Sequence, residues 1–207
     1  MTSSTTDVID LLADIREGSS LYALRTARPQ TRDNAQRSYE ALFEPAQEGD
    51  VSRGERFALA TFIGGLHEAD NVTQFYQTAL EGAAKSASVV AAVKAEADGG
   101  RTVGPYGHYT AGPLSVEDRT GLIFHVSQSG RSVLGAKLSA ALEHAHLLVY
   151  RPREASAEAL QRLLDAGWTT TGVVTLSQIV AFLSFQIRVV AGLSALAAAG
   201  AEQAVSA

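Results

Sequence analysis

At 207 residues, with 46% apolar and 19% charged side chains, the chain has the make-up of one globular domain or two small related halves, with ample length for a core. A net charge of -5 without a basic patch removes the electrostatic case for nucleic acid as a partner. Cysteine is absent, which excludes disulfides, thiolate metal ligands and thiol nucleophiles together.

Abundant Ala and Leu with only five prolines favour helices. The polar, acidic start MTSSTTDVIDLLADIRE resembles neither a secretory signal nor a basic transit peptide, so a cytoplasmic location is expected. Residues 1–6 read as a frayed tail with Thr5 and Thr6 as candidate caps. Residues 7–17 place Ile9, Leu12 and Ile15 on one helical face, stopped by Gly18. A short helix over 20–27 ends before Pro29. Thr31-Arg32-Asp33 opens the next, with Tyr39, Leu42 and Phe43 inward and Pro45 as its stop. The polar loop 47–50 divides this N-terminal helical extension, residues 1–50, from a main helical domain over 51–200.

Ser52 followed three residues later by Glu55 has the spacing of a capping box. Phe57, Leu59, Phe62, Ile63 and Leu66 then cover a wide apolar arc, and Gly64-Gly65 permits close helix approach or loosens the last turn. The polar cluster His67-Glu68-Ala69-Asp70-Asn71 follows, with Asp70 or Asn71 expected to cap a helix that buries Val72, Phe75, Tyr76, Ala79 and Leu80. Ser86 or Ser88 starts an Ala/Val helix ending near residues 98–100. Residues 99–117, GGRTVGPYGHYTAGPLSVE, form a long loop, which in a compact helical protein is usually functional or reaches to a partner.

Beyond the loop, a helix is expected from Ser115 through Leu122, Ile123 and Val126, closing near Ser129-Gly130. Others are expected over 134–150, from Ser156 to Ala166 with Gly167 as its stop, and over 170–198, before an Ala-rich tail that frays. Residues 166–187 are 22 in number and uncharged, long enough in principle to span a bilayer. Gln178, Gln186, the hydroxyl side chains and the adjoining Arg188 favour instead a buried helix of a soluble bundle, so no membrane partner is expected. No period-2 run of β-branched residues and no Rossmann or Walker glycine pattern occurs. The chain reads as all-α.

His67 and Asp70, three apart, would share a face if the helix continued. Glu143 and His146 give one E-x-x-H pair, whereas helical di-metal sites need two with further carboxylates, so no metal is assigned. No G-x-S-x-G elbow supports a serine hydrolase. Arg188, in an apolar helix, requires a carboxylate, Glu55 being one candidate, or helix-end carbonyls. Tyr106, His108 and Tyr109 either line a pocket, with His108 available for proton transfer, or plug a groove or a subunit interface.

Two blocks resemble the carboxymuconolactone decarboxylase superfamily, in particular its alkylhydroperoxidase D-like and peroxidase-related members. One is GERFALATFIGGLHEADNVTQFYQTAL, similar to the core helix pair. The other is LEHAHLLVYRPREASAEALQRLLDAGWTTTGVVTLSQIVAFLSFQIRVVAGL, similar to a helix, an acidic capped helix ending in "aGw", and a long helix carrying a late arginine. The likeness covers roughly residues 50–197. It implies an alkylhydroperoxidase D-like helical bundle with an N-terminal extension, no cofactor, and a homo-oligomer (dimer, trimer or hexamer).

Peroxidase-active members of that family carry a glutamate, then C-x-x-C, then a histidine. In this chain the glutamate falls on Glu55, the two cysteines on His67 and Asp70, and the histidine on Gln74. Thiol peroxidase chemistry by that route is therefore not available. The decarboxylase branch implies proton transfer on a small organic acid or lactone by Glu55, His67 and Asp70. Gln74, Tyr106, His108 and Arg188 would then contact the substrate. The alternative is a non-catalytic structural subunit or small-molecule-binding paralogue.

Overall fold

The computed structural model describes residues 6–84 and 86–205, with side chains described through residue 200. About 72% of the chain is helical and no strand occurs among the described residues, so the fold is all-α. Among the described residues nine α-helices follow in order: α1 (Val8–Leu12), α2 (Ser20–Thr26), α3 (Pro29–Phe43), α4 (Arg53–Leu66), α5 (Asp70–Ala83), α6 (Ala87–Gly100), α7 (Gln128–Tyr150), α8 (Ala157–Asp165) and α9 (Thr170–Val205).

Helix α4 is the centre because it is apolar nearly all round, and such a helix must be covered on every side. Every residue from Arg56 to Leu66 is buried, against α5, α6, α7 and α9. Close approach is possible because Gly64 and Gly65 have no side chain. A Cβ on Gly64 would stand 2.8 Å from the Thr73 Oγ1 and 3.2 Å from its Cα, and one on Gly65 would stand 2.8 Å from the Ala97 Cβ. An aromatic group fills the space around the start of α4: the Phe43 ring lies 4.8 Å from Tyr76 and 5.8 Å from Phe57.

The N-terminal helices share this core. One hydrophobic cluster runs from Val8 and Phe43 through Phe57 to Leu193, so α1 and α3 share a core with the helices that follow residue 50. Charge pins the three short helices together: Arg25 meets Asp7 at 2.6 Å and also Asp10, and Arg32 meets Asp10 at 2.6 Å. Both carboxylates are buried, and burial of this kind is tolerated when the charges are paired.

Several local expectations hold: the reciprocal Ser52–Glu55 box, the Ser86 and Ser156 caps, and Gly167 at positive φ after α8. Others are corrected. The first helix ends at Leu12, before Asp14 at φ 49°, and Pro29 itself opens α3 in the first-turn position that suits proline. Asp70 is the first residue of α5, not its cap, and Asn71 donates to the Leu12 carbonyl at 2.8 Å. Helix α9 runs on to Val205. Of the tail expected at residues 1–6, residues 1–5 lie outside the described residues.

The largest correction concerns the middle of the chain. Only a 3₁₀ turn, Pro113–Glu117, stands where a helix was expected to start, and residues 118–127 are not helical. The connection therefore spans 101–127 rather than 99–117, whose first two residues finish α6. Tertiary contacts override the helical spacing of Leu122, Ile123 and Val126. Gly107 and Arg119 exchange backbone bonds of 2.7 and 3.2 Å, and the Tyr106 hydroxyl donates to the Leu122 carbonyl at 2.7 Å. Gly121 lies flat on the Tyr106 ring, where a Cβ would come within 2.2 Å of it. Ser129-Gly130 sits in the first turn of α7, capped by Ser127, and Gly135 (φ 75°, ψ 172°) breaks that helix near the expected start at Leu134.

Among the described residues one helix, over Thr170–Gly200, is long and apolar enough to cross a membrane. Its mean hydropathy is 1.9 over the most apolar window, 44% of which is buried against the rest of the chain.

Candidate functional site

Helix α4 stops where Glu68 adopts a left-handed backbone, φ 53°, uncommon for a residue with a side chain. The carbonyls left over at a helix end need partners. Here Ala69 donates to Gly64 and Glu68 to Gly65, each at 3.1 Å; Arg101 also donates to Gly65 at 2.9 Å, and the Tyr150 hydroxyl donates to Leu66 at 2.6 Å. These bonds tie the end of α4 to the ends of α6 and α7. Between that knot and α9 lies a cleft of about 890 Å³, within the range of small-molecule sites. Its walls are Leu66, His67 and Glu68, the loop segment 102–105, the end of α7 around Tyr150, and the α9 face carrying Val180, Ser184 and Arg188.

His67 is half-buried, with its Nε2 enclosed and without a hydrogen-bond partner. Burial, and then the nearby Arg188 charge, hold its pKa below the usual 6.5, so the ring is neutral at neutral pH. An enclosed N–H without an acceptor costs more than an idle lone pair, which assigns the proton to Nδ1. Arg188 is exposed at the cleft wall. One guanidinium nitrogen is bonded at 2.7 Å to the Ser184 carbonyl, and no carboxylate lies within ion-pair distance among the described residues. The cleft thus carries one unpaired cation and one neutral imidazole.

The other expected site residues stand elsewhere. Glu55 is in the first turn of α4: its Oε2 accepts from the Ser52 N–H at 2.8 Å and hydroxyl at 2.9 Å, and its Oε1 lies 2.7 Å from the Lys137 Nζ. Twelve residues of helix separate it from His67, roughly 18 Å along the axis. A proton-transfer group of Glu55, His67 and Asp70 does not assemble, and Glu55 is not the partner of Arg188. Asp70 and Gln74 are exposed on α5 outside the cleft walls, Gln74 bonding Thr78 at 3.3 Å.

Tyr106 is buried behind the wall, stacked at 6.2 Å on Tyr150. His108 is exposed, 3.4 Å from Asp118, and its backbone N–H donates to Glu154 at 2.9 Å. Neither lines the cleft; the four residues preceding Tyr106 do. Glu143 accepts from the Val126 N–H at 3.0 Å and pairs with Arg131. His146 is fully buried, its Nε2 2.9 Å from the Gly100 carbonyl and its ring between Phe124 and Tyr150. Burial pushes its pKa down to about 4. Among the described residues no three His, Asp or Glu side chains group as a metal site.

Comparison with protein-family models, with curated proteins and with solved structures finds no match to this chain. Glu68 was marked only as part of the polar cluster around His67, and sequence reasoning missed Tyr150 and Ser184 as cleft residues. Their sole common signal, proximity to helix ends and to Arg188, becomes visible only when four distant segments are brought together.

Proposed function

We propose that the chain is a small-molecule-binding protein whose ligand is an organic acid with an apolar body, held in the cleft beside α9. The carrying observation is that Arg188 and His67 share one cleft while neither charge nor imidazole has a carboxylate partner there. Arg188 retains guanidinium N–H groups for a carboxylate, a pairing that is stronger than one between neutral groups. With its proton on Nδ1, His67 is a second donor, while Leu66, Leu148 and Val180 supply apolar wall for the body of the ligand.

The same tautomer turns the basic nitrogen of His67 inward, which favours binding over proton abstraction. A proton-transfer enzyme on an organic acid or lactone is the second reading. It is supported by Glu68, a carboxylate on the same cleft next to that histidine. The resemblance set out above supports membership of the carboxymuconolactone decarboxylase superfamily as a cysteine-less, alkylhydroperoxidase D-like chain. A cytoplasmic homo-oligomer accords with that membership.

Calorimetric titration with small carboxylic acids and their amides tests the binding reading. The expected result is saturable binding of an acid but not of its amide, weakened about tenfold or more by Arg188→Gln with an unchanged melting temperature. Equal affinity for acid and amide, or no acid bound by a folded protein, overturns it. Turnover that His67→Ala and Glu68→Gln each abolish would establish the second reading.

A further inference from the structure

A second cleft shares no residue with the first. It has a volume of about 350 Å³ and lies between the α7 face carrying Ala140, His144 and Leu147, the helix α8, and the stretch Ile123–His125 of the long connection. Its acidic residues already have partners. Glu143 accepts from the Val126 N–H and pairs with Arg131, and Glu154 pairs with Arg151 at 2.6 Å and accepts from the His108 N–H at 2.9 Å.

Its basic residues are not balanced in the same way. His144 is only 5% exposed, yet its Nε2 has no partner. The Arg151 Nε is enclosed and lacks an acceptor. Arg162, exposed on α8, lines the same cleft as His144 and makes no ion pair among the described residues. A buried polar side chain is ordinarily hydrogen-bonded, and each exception calls for a reason. Here the buried nitrogens lacking partners are the His144 Nε2 and the Arg151 Nε, and they stand with the exposed Arg162 guanidinium beside an apolar wall of Phe124, Leu147, Ala159 and Leu163. An acceptor-rich anion with a compact apolar body meets both features.

We propose that this cleft is a binding site for a small carboxylate, salt-bridged by Arg162 over the imidazole of His144, with its apolar body against Phe124, Leu147 and Leu163. The site is independent of the first cleft and of any ligand bound there.

The test is a titration of the full chain with sodium benzoate, with benzamide and sulfate as controls, followed through the histidine ring resonances by NMR. Benzoate is expected to shift the His144 resonances saturably, benzamide and sulfate to leave them in place. Arg162→Gln, an exposed substitution that spares the core, is expected to weaken the His144 titration about tenfold or more, whereas Arg188→Gln leaves it unchanged. Three outcomes each overturn the site: unmoved His144 resonances, equal shifts with benzamide or sulfate, or a titration indifferent to Arg162→Gln. Loss of the His67 response alone, through Arg188→Gln, bears on the first cleft and leaves this one standing.

Discussion

The two ends of α4 treat their polar groups in opposite ways. At the start, each is used within the protein. Ser52 and Glu55 bond reciprocally, Glu55 holds Lys137, and the buried Arg56 guanidinium donates to the carbonyls of Val51 at 2.9 Å, Leu42 at 2.6 Å and Glu48 at 2.9 Å. At the far end the backbone carbonyls are satisfied, but His67 keeps a partnerless nitrogen and the neighbouring Arg188 has no carboxylate. A cleft opens at the second end. The difference separates architecture from availability: polar groups saturated within the fold hold it together, and those left short beside open space are where a ligand acts.

Arg56→Ala gives the largest expected effect. It strands three carbonyls in the buried corner between α3 and α4 and removes a well-packed stem, at a cost of about 3 kcal/mol or more. Urea unfolding at neutral pH measures it. A loss as small as that from a surface arginine would remove the contrast between the two ends.

Acidification comes next and acts near the other end, on His146. Its folded pKa of about 4 lies below the ordinary 6.5, so between these values the unfolded chain binds the extra proton. The stabilising contribution is complete above pH 6.5, falls as pH drops, and is gone below pH 4, amounting to about 3 kcal/mol. His67 and His144 are shifted in the same direction by burial and add to the slope. Unfolding free energies measured from pH 7 to pH 4 should fall steadily, and His146→Gln should flatten part of that fall. An unchanged slope in the variant would show that another group carries it.

These contrasts also mark what the sequence discloses. The Ser52–Glu55 box, the Ser86 and Ser156 caps and Gly167 were legible because each depends on three or four consecutive residues. The apolar arc of α4 was legible because its period repeats over several turns. Residues 118–127 were not, because Leu122, Ile123 and Val126 have helical spacing, and what defeats it is Tyr106, some fifteen positions upstream, lying over Gly121. The first cleft was half legible: His67 and Arg188 were marked as chemically unusual, but nothing local joins them to residues 102–105. Glu55 misled for the opposite reason, since a residue that fits a family motif is equally suited to capping a helix. His144 and Arg162 carry no local signal: burial with a partnerless nitrogen marks His144, and only the second cleft places Arg162 with it.

The glycines of α4 repeat the contrast at lower energy. Gly64→Ala drives a methyl into the backbone and hydroxyl of Thr73 and should cost about 1–3 kcal/mol, read as a lowered midpoint in urea. Gly54, at the other end, has open space around the position of a Cβ, and Gly54→Ala should stabilise by about 0.5–1 kcal/mol through helix propensity and the unfolded chain. Equal losses from both would mean that α5 does not press on α4 as described.

Glu55→Gln has the smallest expected effect and bears most directly on what the start of α4 is for. Glutamine can keep the reciprocal bond to Ser52, since a capping box accepts either residue. What goes is the charge facing Lys137, a partly exposed pair whose removal costs roughly 0.5–1 kcal/mol. Ligand affinity at the first cleft should not change, because Glu55 lies a helix length from His67 and is held by groups that do not reach it. The decisive measurement is therefore affinity and turnover at matched stability. If Glu55→Gln abolishes either while the protein stays folded, the start of α4 communicates with its end, and the glutamate belongs to the site despite its distance. If both survive, Glu55 is a cap that happens to occupy the position of a relay residue.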